Sequence, residues 1–178
     1  FFGTNPLAFG SPRAGAEPLV FDMATASTAR VNLVKAARDG VPIEPGHAID
    51  PDGNPTTDPA LGLKGAQLPL GGAKGFGLGL MVDMMGGLLS GGHCSYEASM
   101  FSNNEGGPPN VGQTIIAFDP AFFAAGYVTH LEQMLADLTG DNDVRVPGER
   151  RASLRAQHES EGVDVPDALL EQIADLSA

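Results

Sequence analysis

A mixed α and β fold is what this sequence predicts, and three observations predict it. Short apolar runs at 19–21 and 113–118 read as strands. Helical periodicity recurs between and after them, in segments opened by hydroxyl residues or proline and closed by glycine. The two kinds of segment do not follow the regular β-α-β alternation that a doubly wound parallel sheet requires.

The elements can be justified in order. "GTNPLAFGSP" at 3–12 reads as a loop, with Asn5-Pro6 as a turn signal. "PLVFDMATASTARVNLVKAARDG" reads as a strand, a turn and a helix. Thr25 or Ser27 can cap that helix, Lys35 and Arg38 fall near its end, and Gly40 stops it. Asp52-Gly53 marks a tight turn. The run from Gly75 to Leu89 sets Leu78, Val82, Met85 and Leu89 on one face, with Met81, Met84 and Leu88 alongside. Apolar on most sides, it predicts a buried core helix. Gly77, Gly79, Gly86 and Gly87 each cost that helix ~1 kcal/mol, for which close backbone packing is the usual compensation. A loop, "SNNEGGPPNVG", precedes the strand at 113–118. A helix over 120–138 follows, with Phe123, Val128, Leu131 and Leu135 at helical spacing. "VRVPGERR" reads as a strand-to-turn segment entering a basic helix start, and a last helix begins near Pro166.

Composition bounds the function. The 178 residues suffice for one domain with a core, or part of a larger one, and 42% hydrophobic content is globular. Phe1 in place of an initiator methionine reads as the start of a fragment or a processed chain. The net charge of −12 argues against a broad nucleic-acid surface. Residues 1–74 hold six Lys/Arg against seven Asp/Glu, and 75–178 hold four against fifteen, so an anionic ligand is better placed against the first half. A single cysteine, Cys94, makes no internal disulfide, and the apolar run carrying Asp83 is short for a membrane span of about 20 residues. These features predict a cytoplasmic protein with no membrane and no nucleic-acid partner.

The stretch most suggestive of chemistry is "LPLGGAKGFGLGLMVDMMGGLL" at 68–89. It is not a P-loop, since Gly75 and no hydroxyl follows Lys74. Nor is it a Rossmann fingerprint, since the spacing is G-x-G-x-G and Pro69 spoils the preceding strand. Two readings remain open: a phosphate grip made of free N–H groups and the Lys74 charge, or a closely packed turn with Lys74 solvated. The turn Asp22-Met23-Ala24-Thr25 is likewise open between a ribose- and phosphate-holding junction and a simple helix cap. His47, His93, His130 and His158 lie at no metal-ligand spacing and read as surface or capping residues, so no metal site is expected. Cys94 carries no nucleophile signature.

Four segments in this order, "FGTNPLAFGSP", "PLVFDMATASTAR", "IDPDGNPTTDP" and "LPLGGAKGFGLGLMVDMMGGLLSG", with "GQTIIAFDP" and "VRVPGERR" after them, resemble the malate/L-lactate dehydrogenase family. That family also includes sulfolactate, ureidoglycolate and cyclic-imine oxidoreductases. The resemblance covers nearly the whole chain and implies its C-terminal half. It implies a non-Rossmann, mixed α/β fold (α+β-like) with a largely antiparallel sheet, a homodimer, and NAD or NADP as cofactor. Asp22, Met23 and Ala24 match the segment that touches the cofactor, and Lys74 matches a cofactor-binding lysine. Pro147, Gly148 and Glu149 match a late turn near the nucleotide. Asn5 lies in a segment near the active centre, without an assigned role. The resemblance further implies a cofactor-binding region at 1–140, and a turn and helices at 141–178 that pack on an N-terminal part. It places the catalytic histidine and a substrate-binding arginine upstream of Phe1.

The implied reaction is hydride transfer between nicotinamide and a small 2-hydroxy or 2-keto acid such as malate or lactate. Alternatives are a reductase of cyclic imino acids, a ureidoglycolate-type dehydrogenase, or a catalytically silent nucleotide-binding or dimerisation module. One departure stands out: His47 occupies the place of a usual tryptophan, and the chain has no Trp.

Overall fold

A computed structural model describes residues 2–101, 105–140 and 144–176. The first three residues of the "SNNEGGPPNVG" loop, the start of the 141–178 segment and the last two residues of the chain lie outside the described residues. The elements are β1 (Leu7–Ser11), β2 (Leu19–Met23), α1 (Arg30–Asp39), β3 (Ala48–Ile49), β4 (Pro55–Thr56), α2 (Pro59–Lys64), β5 (Ala66–Gln67) and α3 (Ala73–Asp83). A π-helix (Met84–Leu89), α4 (Pro120–Phe123), α5 (Tyr127–Thr139), α6 (Glu149–Glu161) and α7 (Asp167–Asp175) complete them. The fold is mixed α and β with small antiparallel sheets, as the sequence predicts. It divides into two compact units, residues 1–9 with 22–118, and residues 10–21 with 119–178. β1 pairs with β2, a strand that the loop reading of 3–12 missed.

In the first unit, α1 buries Leu33 and Ala36, and Gly40 closes it in the left-handed region at φ 66, its N–H donating to the Ala36 carbonyl. Neither Thr25 nor Ser27 caps this helix. Ala29 stands at the N-cap without a side-chain bond, because Thr25 is engaged elsewhere. The Asp52-Gly53 turn joins β3 to β4, with Gly53 at φ 87. Asp50 accepts the Asp52 and Asn54 N–H groups at 2.9 and 2.8 Å; the bond from the Asn54 backbone leads in holding its carboxyl below the usual range. β5 pairs antiparallel on the other side of β3. Asp58 caps α2 by accepting the Ala60 and Leu61 N–H groups. Leu33, Ala36, Ile43 and Ala48 form the core, with Leu63 packed against it.

The 75–89 run departs from its prediction twice. It is an α-helix only as far as Asp83, and then widens into a π-helix. Carbonyls in the widened turn are taken from outside the helix ladder: Ser90 Oγ donates to Gly86 O and Gly87 O, and Thr114 Oγ1 to Met85 O. Nor is the run a buried core helix, since Leu80, Met81, Met84, Leu88 and Leu89 are exposed. Close packing accounts for Gly87, where a Cβ would lie 3.0 Å from the His93 carbonyl, but beyond its own helix backbone nothing described comes within 4 Å of a Cβ at Gly77. The 113–118 segment, expected as a strand, belongs to no strand or helix of the structure, with Ile115 87% exposed.

In the second unit, the predicted 120–138 helix is two helices. Ala124 turns extended (φ −151, ψ 107), ending α4, and α5 restarts at Tyr127. Leu131 and Leu135, one turn apart on α5, bury against Val146, with Leu19 and Tyr127 alongside. The Tyr127 and Ser11 hydroxyls share a 2.8 Å hydrogen bond. Val144–Val146 is not a strand; the segment passes through the Pro147-Gly148 turn into α6. Neither α6 nor α7 buries a residue.

Candidate functional site

The strand end at Asp22, Met23 and Ala24 and the Gly-rich turn before Lys74 are sewn together by the residue between them. Thr25 donates its N–H to Thr4 O (3.1 Å) and its hydroxyl to Asn5 O (3.0 Å), and its carbonyl accepts the Leu70 N–H (2.9 Å). Ser27 N–H donates to Leu68 O at 2.8 Å, and Ala26 bridges Pro69. A residue read as a possible helix cap is therefore buried, and its hydroxyl and main chain together join three segments.

The turn itself explains its glycines. Gly72 is the N-cap of α3 at φ 67, ψ −125, a conformation that residues with a Cβ rarely adopt. At Gly75 a Cβ would fall on the Leu70 carbonyl, so only glycine lets the turn close against the helix. The N–H groups of Ala73, Lys74 and Gly75 have no acceptor among the described residues, and no side chain caps the helix. Exposed Lys74 stands on that first turn and Asp22 is also exposed, so donors, a cation and a carboxylate occupy neighbouring, solvent-facing segments. Such a helix start is suited to an anion.

Pro147, Gly148 and Glu149 belong to the other unit. Gly148 has φ 97, and its absent Cβ would lie 3.2 Å from Val20 O. Glu149 Oε2 accepts the Val146 N–H at 3.2 Å, and Oε1 lies 3.9 Å from Arg13, so this carboxylate also braces its own turn. Arg13 forms a two-pronged pair with Glu132 at 3.2 and 2.9 Å, and Glu132 also accepts the Ala14 N–H. The Arg13 hydrogen bond, with the Ala14 N–H second, holds the Glu132 carboxyl below its usual range.

A second polar cluster was not foreseen. Asn5 is 9% exposed with φ 40, a left-handed conformation that costs a residue other than glycine of order 1–3 kcal/mol. Its Nδ2 donates to Gly79 O (2.9 Å) and to Asp83 Oδ1 (3.3 Å). Ser95 Oγ reaches Asn5 Oδ1 at 2.7 Å and Asp83 Oδ1 at 2.5 Å, and the Ser95 N–H donates to the same Asp83 oxygen at 2.9 Å. The signal in the sequence was Asp83, the one carboxylate within the 75–89 run. Neighbouring Cys94 is buried; burial first, then the Asp83 and Glu97 charges, push its thiol up, which agrees with an unreactive residue. His93 Nδ1 lies 3.1 Å from Pro109 O, and the backbone of His47 serves the turn joining Ser27 to Leu68.

Comparison with known proteins identifies the class. A mixed fold with a nucleotide-suited turn that is not Rossmann-like matches the Δ1-piperideine-2-carboxylate reductase of Pseudomonas syringae pv. tomato at a TM-score of 0.90 and 40% identity, over 99% of this chain and 54% of that one. The profile of the malate/L-lactate dehydrogenase family matches residues 1–174, and the chain belongs to that family. Relatives include the (2R)-3-sulfolactate dehydrogenase (NADP+) of Chromohalobacter salexigens, 41% identical over 97% of this chain and 51% of that protein. Another is the Δ1-pyrroline-2-carboxylate reductase of Ancylobacter novellus, 41% identical over 96% and 51%. The chain thus spans about half the length of the relatives it matches. The resemblance, the fold class and the expectation of an oxidoreductase family with a nicotinamide cofactor agree with these findings. Among the described residues no helix is long and apolar enough to cross a membrane.

Proposed function

We propose that the chain forms the nucleotide-binding part of an NADP(H)-dependent oxidoreductase that reduces a small cyclic 2-imino acid. The observation that carries the reading is the joining, through Thr25, of the Asp22–Ala24 strand end to the Gly-rich start of α3. The reductases among the relatives favour a cyclic imine over malate or lactate. When bound, the cofactor supplies a hydride from nicotinamide C4 to the substrate's 2-carbon.

The chain's own residues hold the nucleotide. The free N–H groups of Ala73, Lys74 and Gly75 take a phosphate, Lys74 adds a point charge, and Asp22 accepts from ribose hydroxyls, with Met23 and Ala24 lining the strand end. Pro147, Gly148 and Glu149 form a further nucleotide-facing turn. The proton that balances the hydride comes from an acid–base group outside these residues, as does the cation for the substrate carboxylate. Residues 1–140 form a partial cofactor-binding region, and 141–178 supply the late turn and helices that pack on the part that the relatives have outside the matched span. The active form is a cytoplasmic homodimer. A second reading, oxidation of a 2-hydroxy acid, draws on the sulfolactate dehydrogenase relative.

Two measurements test this. In the protein that carries these residues, Lys74→Ala is expected to weaken NADPH binding by roughly 1–3 kcal/mol, the range for a charged hydrogen bond. The loss should shrink as salt screens the contact. Unchanged affinity in a low-salt fluorescence titration rejects the nucleotide site. Steady NADPH oxidation with Δ1-pyrroline-2-carboxylate, against NADP+ reduction with 3-sulfolactate, separates the two readings.

A further inference from the structure

We infer that Asn5 is a positioning residue rather than a substrate contact, and that Asp83 and Ser95 are the pair that holds it. The inference deepens the nucleotide-site reading and rests on that reading only for its cofactor measurement.

The bonding capacity of the Asn5 side chain settles the first part. An amide has two N–H donors and one carbonyl oxygen. Both donors are spent, on Gly79 O and Asp83 Oδ1, and the oxygen faces Ser95 Oγ at 2.7 Å. With 9% exposure and both N–H donors engaged, the side chain has no donor left for a ligand, and its oxygen is turned inward to Ser95. What Asn5 exports is the placement of its main chain. Its carbonyl receives the Thr25 hydroxyl, and Thr4 O receives the Thr25 N–H. Thr25 in turn fixes the Leu70 N–H at the head of the Gly-rich turn. One chain of hydrogen bonds therefore runs from the end of α3, through Asn5, to both segments of the nucleotide site.

The backbone of Asn5 does not hold itself there. A left-handed asparagine followed by Pro6 is a disfavoured conformation, and it persists only where the surroundings over-determine it. Asp83 Oδ1 is the focus of that restraint. It takes the Asn5 amide and the Ser95 N–H, and shares the single Ser95 hydroxyl proton with Asn5 Oδ1, with no cation paired to it among the described residues. A carboxylate at this point of an apolar helix is explained by what it organises.

The test uses Asp83→Ala, Ser95→Ala and Asp83→Asn in the protein that carries these residues, read by amide hydrogen exchange and NADPH titration. In both alanine variants, exchange at the Thr25 and Leu70 N–H groups should rise about tenfold or more, while the Leu33 amide in α1 keeps its rate. NADPH dissociation constants should rise about five- to tenfold. Asp83→Asn, which keeps an acceptor oxygen, should restore both to within about twofold of wild type. Unchanged exchange at Thr25 and Leu70 in both alanine variants overturns the inference. So does a uniform rise that includes Leu33, which would make the cluster a general stabiliser. If the wild-type protein binds no NADPH yet shows the local exchange pattern, the positioning role stands and the nucleotide-site reading fails.

Discussion

Leu33 and Leu89 are both helical leucines of the first unit, one 0% and the other 72% exposed. Leu33 lies on α1, whose apolar stripe is narrow and whose partners, Ile43, Ala48 and Leu63, follow within a few tens of residues. Little chain has to be ordered before that core closes. Leu89 ends a run that is apolar on most sides. Gly79 and Gly87 bring α3 and the π-helix close to Thr25 and to the Cys94 backbone, yet Leu80, Met84, Leu88 and Leu89 meet no covering layer, and Ile115 and Ile116 share that exposure. A local amphipathic pattern completes itself. An all-round apolar helix needs neighbours on every side, and these residues provide them on one.

The largest expected effect breaks this contrast at its strong end. Leu33→Ala should lower the unfolding free energy by about 2–5 kcal/mol, through lost burial and a residual cavity. Leu89→Ala should change it by less than ~0.5 kcal/mol in the isolated 178 residues. Urea denaturation of the two variants measures the difference. Equal losses would show that the π-helix face is covered in solution.

The next effect concerns association. Leu80, Met84, Leu88 and Leu89 of one helical run are all exposed, as is Ile115, so the isolated chain should associate despite its −12 charge. Light scattering at neutral pH and moderate salt should show oligomers, and Leu89→Lys combined with Ile115→Lys should shift them towards monomer. A monodisperse wild-type monomer with a cooperative thermal transition would mean that the core is self-sufficient.

The smallest effect is electrostatic and belongs to the second unit, whose Leu131, Leu135 and Val146 cluster also closes within the chain. The folded-state pKa of Glu132 is depressed, chiefly by its Arg13 hydrogen bond. Its stabilising contribution is therefore fully present above the ordinary carboxylate pKa and disappears as pH falls through the lower, folded value. Glu132→Gln should flatten that acid limb of the melting temperature and leave the neutral-pH slope unchanged. A variant with an unaltered acid limb would assign the loss to other carboxylates.

Periodicity and turn chemistry made much of the closed regions legible. The Gly40 stop, the Asp52-Gly53 turn and the Leu131–Leu135 stripe are local properties, and local sterics and hydrogen bonding decide them. The Pro-Leu-Gly-Gly segment was also legible as a turn that requires its glycines, which answer to a positive φ at Gly72 and a backbone approach at Gly75. Where a helix breaks was not legible. The change of ladder at Met84 and the extended Ala124 depend on which distant or flanking groups capture the carbonyls. Nor could spacing show that Thr25 joins three segments instead of capping α1, or that Asn5, Asp83 and Ser95 meet. Those contacts span 74 to 90 residues for Asn5 alone. The sequence determined the short-range geometry, whose free energy comes from neighbouring residues. The tertiary structure alone decided which polar groups satisfy one another, because that choice is made only when distant segments exclude water together.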